Sequence, residues 1–193
     1  IGNFAKKLCL NLYKLSINKN IINSYENLFN ELDIHINHFV PTPLSSALAT
    51  LNKDDQDLGS ICIDFGESST SFAVFESMKL IFCDSINVGS NNITNDIARG
   101  ISTTKASAER LKTLWGSVIS SPSDEYELIE VPIESSQESE FKQINRSTIN
   151  SIIKPRVEET LELVWQKLKP YGLHKKKIKN LILTGGGSQL EGI

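Results

Sequence analysis

The chain opens on an alternation. Between Lys7 and Ile17, Leu8, Leu10 and Leu12 share one face at a spacing of two, the pattern of a half-buried strand. The period then lengthens: Ile21, Ile22, Tyr25, Leu28, Phe29 and Leu32 recur at helical spacing, with Asn18 placed as the N-cap. "IHINHFV" returns to a strand pattern, and "TPLSSALATL" predicts a short helix entered through Pro43. "NKDDQDLGS" reads as a polar, turn-rich linker.

Three strands are predicted next, over Ser60 to Ile63, Thr70 to Glu76 and Lys79 to Val88. Two helices follow. One spans Asn92 to Gly100, with Thr94 or Asn95 near its start, and the other spans Lys105 to Trp115, stopped by Gly116. "YELIEVP" and "EFKQINRS" alternate as strands on either side of the acidic, serine-rich loop "IESSQESE". A long amphipathic helix from about Ser147 to Leu168 carries Ile149, Ile152, Ile153, Val157, Leu161 and Val164 on its inner face. Trp115 and Trp165 sit at helical core spacing. A basic turn, "YGLHKKKIKN", then leads into the apolar strand "LILT" and three consecutive glycines. This order predicts an α/β protein with a mixed sheet flanked by helices.

Composition narrows the reading. At 193 residues the chain suits one large domain or two small ones, and 39% hydrophobic content is enough for a packed core. A net charge of -3 gives no support to nucleic-acid binding, which uses a basic face. Cys9, Cys62 and Cys83 each lie in a strand-like run, so buried reduced thiols and a cytoplasmic setting are expected. No apolar run is long enough to span a bilayer. Ile1 and Ile193 read as cut ends of a longer chain. His35 and His38 fall on opposite faces of their predicted strand and so do not share a metal. His174 and Lys175 to Lys177 read as a solvated turn.

Two loops carry the candidate chemistry. "DFGESST", Asp64 to Thr70, puts a carboxylate at a strand end, Gly66 in a tight turn, and Ser68, Ser69 and Thr70 where hydroxyls and backbone amides converge. That inventory suits a phosphate chain with its Mg²⁺, the carboxylate holding metal-bound water. An ordinary hairpin turn uses the same residue types. In "TGGGSQLEG", missing side chains let a flat base or a phosphate approach the main chain, and a following helix N-terminus favours negative charge. Between these loops, Glu109 and Lys112 share a helix face at a spacing of three.

"CIDFGESSTSFAVFESMKLIFCDSINVGSNNITNDIARGISTTKASAERLKTLWGS", then "IIKPRVEETLELVWQKLK" and "LTGGGSQLEG", closely resemble the FtsA family of bacterial cell-division proteins. The resemblance runs over nearly the whole chain and is most specific between Ile61 and Gly116. It implies an actin-like ATPase (ribonuclease H-like) fold that binds ATP with Mg²⁺. Asp64, Gly66, Glu67, Ser68, Ser69 and Thr70 would form the second phosphate loop, with Asp64 meeting the metal through water. Gly185, Gly186, Gly187 and Ser188 would form the adenosine loop, and Glu109 and Lys112 would lie beside adenine and ribose.

The resemblance also implies subdomains: 1–17 the end of 1C, 18–56 the returning part of 1A, 57–88 with 147–193 subdomain 2A, and 89–146 subdomain 2B. The first phosphate hairpin and a C-terminal amphipathic membrane helix would lie outside these residues, so the stretch alone is expected to hold ATP weakly. The implied role is a scaffold at the inner face of the cell membrane. It would link FtsZ filaments to that membrane, recruit later division proteins and self-associate into actin-like filaments. The FtsZ tail would bind subdomain 2B, where Arg99, Lys105, Arg110 and Lys112 stand among Ile97, Ile101 and Leu111. The sequence departs from the family at Glu67, Ser68 and Ser90, where glycines are usual, and at Ser71, often an aspartate. Glu67, and Thr42 in the place of a water-orienting acid or amide, imply slow hydrolysis and no assignable catalytic residue. A pilus-assembly relative and a small-molecule kinase share the glycine loops. A kinase needs an acidic base that no residue here supplies, and a pilus relative is not expected to carry the "AERLK" pattern.

Overall fold

The computed structural model describes residues 7, 9, 12–132, 141–173 and 178–193. The chain divides into two units, 1–41 and 42–193.

In the first unit, helix α1 (Lys19–Asn30) begins where the sequence places it, with the Asn18 side chain accepting from the Asn20 amide at 2.9 Å. It ends through Asp33, whose φ of 54° is left-handed and lets the Ile34 amide reach back to the Phe29 carbonyl at 2.9 Å. Ile21, Tyr25, Leu28 and Leu32 remain exposed. The two predicted strands of this unit are corrected. Lys7, Cys9, 12–17 and 34–40 lie in no strand, while Leu8 and Leu10 fall outside the described residues. Alternation specifies a face, but a strand also needs a neighbouring strand for its backbone groups, and these residues join no sheet. Cys9 is accordingly exposed, whereas Cys62 and Cys83 are buried and in no disulfide, as expected. His35 and His38 have no strand faces to divide them.

In the second unit, α2 (Thr42–Thr50) starts beside Pro43 as predicted. The polar linker is not a loop. Residues 53–58 form α3 (Lys53–Leu58), nucleated by a reciprocal cap in which the Asn52 side chain accepts from the Asp55 amide and Asp55 accepts from the Asn52 amide.

A four-stranded sheet follows, in the order β3-β2-β1-β6, from β1 (Ser60–Phe65), β2 (Thr70–Glu76), β3 (Lys79–Ile86) and β6 (Asn180–Thr184). β1 pairs antiparallel with β2 and parallel with β6, so the sheet is mixed as expected. A two-residue turn at Ser77 and Met78, both at positive φ, joins β2 to β3. Its amides donate to the Asp57 and Gln56 carbonyls at the end of α3. Each face of the sheet has its own cover. Cys62, Ala73, Phe75 and Cys83 pack on Ala47 of α2 and on Leu51 just after it. Ile61, Ile63, Phe72, Val74 and Phe82 pack on Val164 and Leu168 of the long helix α6 (Arg146–Leu168).

The N-terminal half of α6 serves a second core. There Ile149, Ile153 and Val157 meet Ile93 and Ile97 of α4 (Ser90–Ile101), Leu111 of α5 (Lys105–Trp115) and Val131 of β4 (Leu128–Pro132). β4 pairs antiparallel with β5 (Phe141–Asn145). The loop 133–140 and the basic residues 174–177 lie outside the described residues. Two inner-face expectations are corrected: Leu161 and Trp165 are exposed, while Asn150 and Thr160 are buried. The stripe is offset because α6 answers two cores in succession. α4 starts at Ser90 with Gly89 as its N-cap, two residues before the predicted start at Asn92.

Candidate functional site

The turn after β1 is built against the start of α4. The Gly66 amide donates to the Ser69 carbonyl at 3.1 Å, closing the turn. The Gly66 and Glu67 carbonyls then accept from the Ser90 and Asn91 amides at 2.9 and 2.8 Å. Two of the free amides that open α4 are thereby satisfied by the turn. The approach is close: a Cβ on Gly89 would stand 2.4 Å from the Glu67 carbonyl oxygen. Glu67, Ser68 and Ser69 are exposed at the tip. Thr70 is buried, and its hydroxyl donates to the Val88 carbonyl at 2.8 Å, so it braces the turn from within.

β6 delivers the glycines beside this turn, because its parallel register puts Thr184 opposite Asp64. The three differ in kind. Gly185 has φ +85°, and a Cβ there would lie 2.4 Å from Asp64 Oδ1. At Gly187 a Cβ would lie 2.8 Å from both the Phe65 carbonyl and its ring. Gly186 meets nothing within 4 Å. Outer glycines therefore permit packing, and the middle one faces open space. A four-residue 3₁₀ turn, Gly186–Gln189, follows in place of the expected helix start, with the Ser188 hydroxyl donating to the Gly185 carbonyl at 2.7 Å.

Opposite the glycines, α5 presents Glu109 and Lys112. The Lys112 side chain is only 12% exposed, and its ammonium donates to Glu109 Oε2 at 2.8 Å, to the Thr94 hydroxyl at 2.9 Å and to the Ser90 carbonyl at 3.3 Å. Thr94 donates in turn to Glu109 Oε2 at 2.5 Å. Burial pushes the Glu109 carboxyl up, but the hydrogen bonds from Lys112 and Thr94, with the Lys112 charge, outweigh it and hold the group below its ordinary value. This is a built polar cluster, unlike a loose surface ion pair.

These elements enclose a cleft of about 490 Å³, with Glu67, Glu109, Lys112, Gly186 and Gly187 on its wall. Ser90, Ile93, Thr113, Gln189, Leu190 and Glu191 complete much of the rest, and sequence reasoning missed them. They come from three elements and show no shared spacing; only Gly89, preceding "SNN", carried a visible sign of the close approach. Asp64, Gly66, Ser68, Ser69, Thr70, Gly185 and Ser188 do not line the cleft wall. Asp64 instead turns toward α2, where its Oδ2 accepts from the Ser46 hydroxyl at 2.6 Å.

Arg99, Lys105 and Arg110 are exposed, but they do not form one patch with the apolar positions expected beside them. Ile97, Ile101 and Leu111 are buried, and Lys112 is committed to the cleft. A second groove of about 520 Å³ runs between α5 and the β4–β5 hairpin. Arg110 lines it together with Leu114, Leu128 and Phe141, each more than half exposed. Among the described residues, no group of three or more His, Cys, Asp or Glu is arranged to hold a metal ion, and no helix is long and apolar enough to cross a membrane.

Residues 61–193 match the family described as cell division protein FtsA. The chain is 34% identical over 191 residues to the cell division protein FtsA of Agrobacterium fabrum, covering 98% of this chain and 43% of that relative. It is 34% identical over 176 residues to the Bacillus subtilis protein of the same name, covering 91% of this chain and 39% of that relative. The chain thus spans about two-fifths of the length of these curated relatives. Among solved structures, MreB5 of Spiroplasma citri bound to ADP superimposes with a TM-score of 0.76 at 19% identity, over 91% of this chain and 56% of that one. That likeness establishes the actin-like fold.

Proposed function

The chain belongs to the FtsA family of cell division proteins, and from that premise we propose that it is the nucleotide-binding part of a division scaffold. The carrying observation is the cleft in which the open Gly186, the Glu109–Lys112 pair and the Glu67 turn converge. Its volume is of ligand-pocket size. The residues fit a nucleotide: Gly186 leaves the main chain bare for a flat base, Glu109 can accept from ribose hydroxyls, and Lys112 supplies a cation. Bound Mg²⁺ would offset phosphate charge. Asp64, at the end of β1, is the carboxylate available to its water, and Gly66, Ser68, Ser69 and Ser188 complete the loops that border the ligand.

The cleft wall also carries acid: Glu67, Glu109 and Glu191 face one lysine. Like charge beside phosphates disfavours a bare triphosphate, which supports a metal requirement and slow turnover. Calorimetry of the whole protein with ATP and Mg²⁺ tests the reading. Micromolar binding that weakens when Mg²⁺ is chelated is expected, and no heat at millimolar ATP would overturn it. Phosphate release well below the common enzyme median of about 10 per second is expected with it.

The groove beside Arg110 supports the partner half of the reading. An acidic, hydrophobic peptide such as the FtsZ tail would set a carboxylate near Arg110 and an apolar side chain on Leu114, Leu128 and Phe141. On this reading residues 89–146 are subdomain 2B, and 57–88 with 147–193 are subdomain 2A. Residues 1–17 are the end of 1C, and 18–56 belong to 1A. Self-association into filaments, and attachment to the inner face of the membrane through a C-terminal helix, complete the proposed scaffold. Fluorescence anisotropy with a labelled FtsZ tail peptide checks the groove. Arg110→Glu should abolish binding, and parental affinity in that variant would exclude this surface.

A further inference from the structure

Ser46 lies on α2, next to Ala47, whose complete burial against Cys62 and Ala73 fixes that helix on the sheet. From there its hydroxyl donates to Asp64 Oδ2 at 2.6 Å, the short length of a charge-assisted bond. The other carboxylate oxygen, Oδ1, sits 2.4 Å from where a Cβ on Gly185 would stand. The Asp64 carboxylate is therefore held from two sides, by α2 and by the glycine loop. Directly across the strand pair stands Ser71, 4% exposed, whose buried hydroxyl has no hydrogen-bond partner. An unsatisfied hydroxyl beside a fixed carboxylate leaves room in the bonding for one more polar atom, such as a water.

We propose that Ser46 is a positioning residue: it locks the Asp64 side chain so that its remaining lone pairs accept from water on a nucleotide-bound Mg²⁺. This rests on the nucleotide reading above. Ser46 touches neither metal nor phosphate and acts only through Asp64, as a second layer that orients a ligand group. Nothing in the sequence marks it, since it is one of two adjacent serines in a small-residue helix.

The test is calorimetry of ATP binding by the whole protein, with excess Mg²⁺ and again in EDTA. The parent should bind more tightly with Mg²⁺. Ser46→Ala should lose about tenfold of that Mg²⁺-dependent gain, in line with loss of one hydrogen bond to a charged group. Its affinity in EDTA should stay at the parental value, and Ser46→Thr should restore the gain. An undiminished gain in Ser46→Ala overturns the proposal. So does an equal loss with and without Mg²⁺, which marks a purely structural role. A parent that binds no ATP, or binds it without regard to Mg²⁺, fails at the nucleotide reading before any substitution and removes this proposal with it.

Discussion

The Lys112 ammonium lies 2.9 Å from the Thr94 hydroxyl, tying α5 to α4 at the wall of the cleft. The same hydroxyl donates a hydrogen bond to Glu109, so one threonine organises both charges. Thr94 is 3% exposed, and valine would keep its volume while removing both bonds.

Thr94→Val is predicted to destabilise the protein by about 1 kcal/mol or less at pH 7, since Glu109 is half exposed and solvent takes up part of the loss. The pH dependence has a definite sign. The folded Glu109 carboxyl is held below its ordinary value, so its contribution is full above that value and fades as pH falls through the lower folded one. The gap between parent and variant should therefore narrow from pH 7 to pH 3 in urea denaturation. A gap that widened in acid would contradict the assignment.

The glycines separate ligand space from packing space. Gly186→Val enters open space and should leave stability within about 0.5 kcal/mol of the parent while blocking ATP. Gly187→Ala drives a methyl group into the Phe65 ring and carbonyl, and is predicted to cost about 1–3 kcal/mol with or without ligand. Thermal melts and ATP titrations of both variants check the pair. Tight ATP binding by Gly186→Val would remove the adenosine-loop assignment.

Much of this fold was legible because its strands and helices keep a steady period. β2 and α5 start and stop at the residues the pattern predicts, and the turn at Gly66 and the bare Gly186 lie where the motifs put them. What escaped reading depends on partners far along the chain. Leu161 matches the α6 stripe but is exposed, because α6 leaves one core for another along its length. Thr94 and Ser46 join the site through neighbouring helices, and no local spacing records that. The strand patterns at 7–17 and 34–40 state an amphipathic preference without supplying a pairing partner, and α3 was hidden by polar residues that are in fact a reciprocal cap.

Asn150 tests whether the buried polar network behind the cleft matters to stability. Its carbonyl accepts from the Ser117 amide at 2.9 Å, and its amide donates to Asp124 Oδ2 at 3.0 Å, with all three residues buried. Asn150→Ala orphans the buried Ser117 amide and takes one of two hydrogen bonds from Asp124 Oδ2, which keeps the bond from the Ser121 amide at 2.8 Å, so a loss of roughly 1–3 kcal/mol is predicted. Arg146, 3.9 Å from Asp124, limits the loss by compensating its charge. A denaturation midpoint within error of the parent would show that solvent replaces the amide at no cost.

Gly89 gives the sharpest stability test, because the obstacle is backbone. Its φ of -146° suits any residue, so no conformational strain enters. The added carbon of Gly89→Ala would meet the Glu67 carbonyl oxygen at 2.4 Å, its carbon at 2.6 Å and the Gly66 carbonyl oxygen at 2.7 Å. A flexible side chain could swing aside, but the turn cannot move without stretching the hydrogen bonds from Ser90 and Asn91 that dock α4 on it. Overpacking of this kind costs roughly 1–3 kcal/mol. Helix propensity will not offset it, since position 89 lies outside the helical turns. The same shift would carry Glu67 and Ser90 apart on the cleft wall. Gly89→Ala is therefore predicted to lower stability by that amount and to weaken ATP binding at least tenfold even where the protein is fully folded. Urea titration reads the first effect, and calorimetry at low temperature reads the second. Parental values in both would mean that the turn and α4 do not touch as the structure places them.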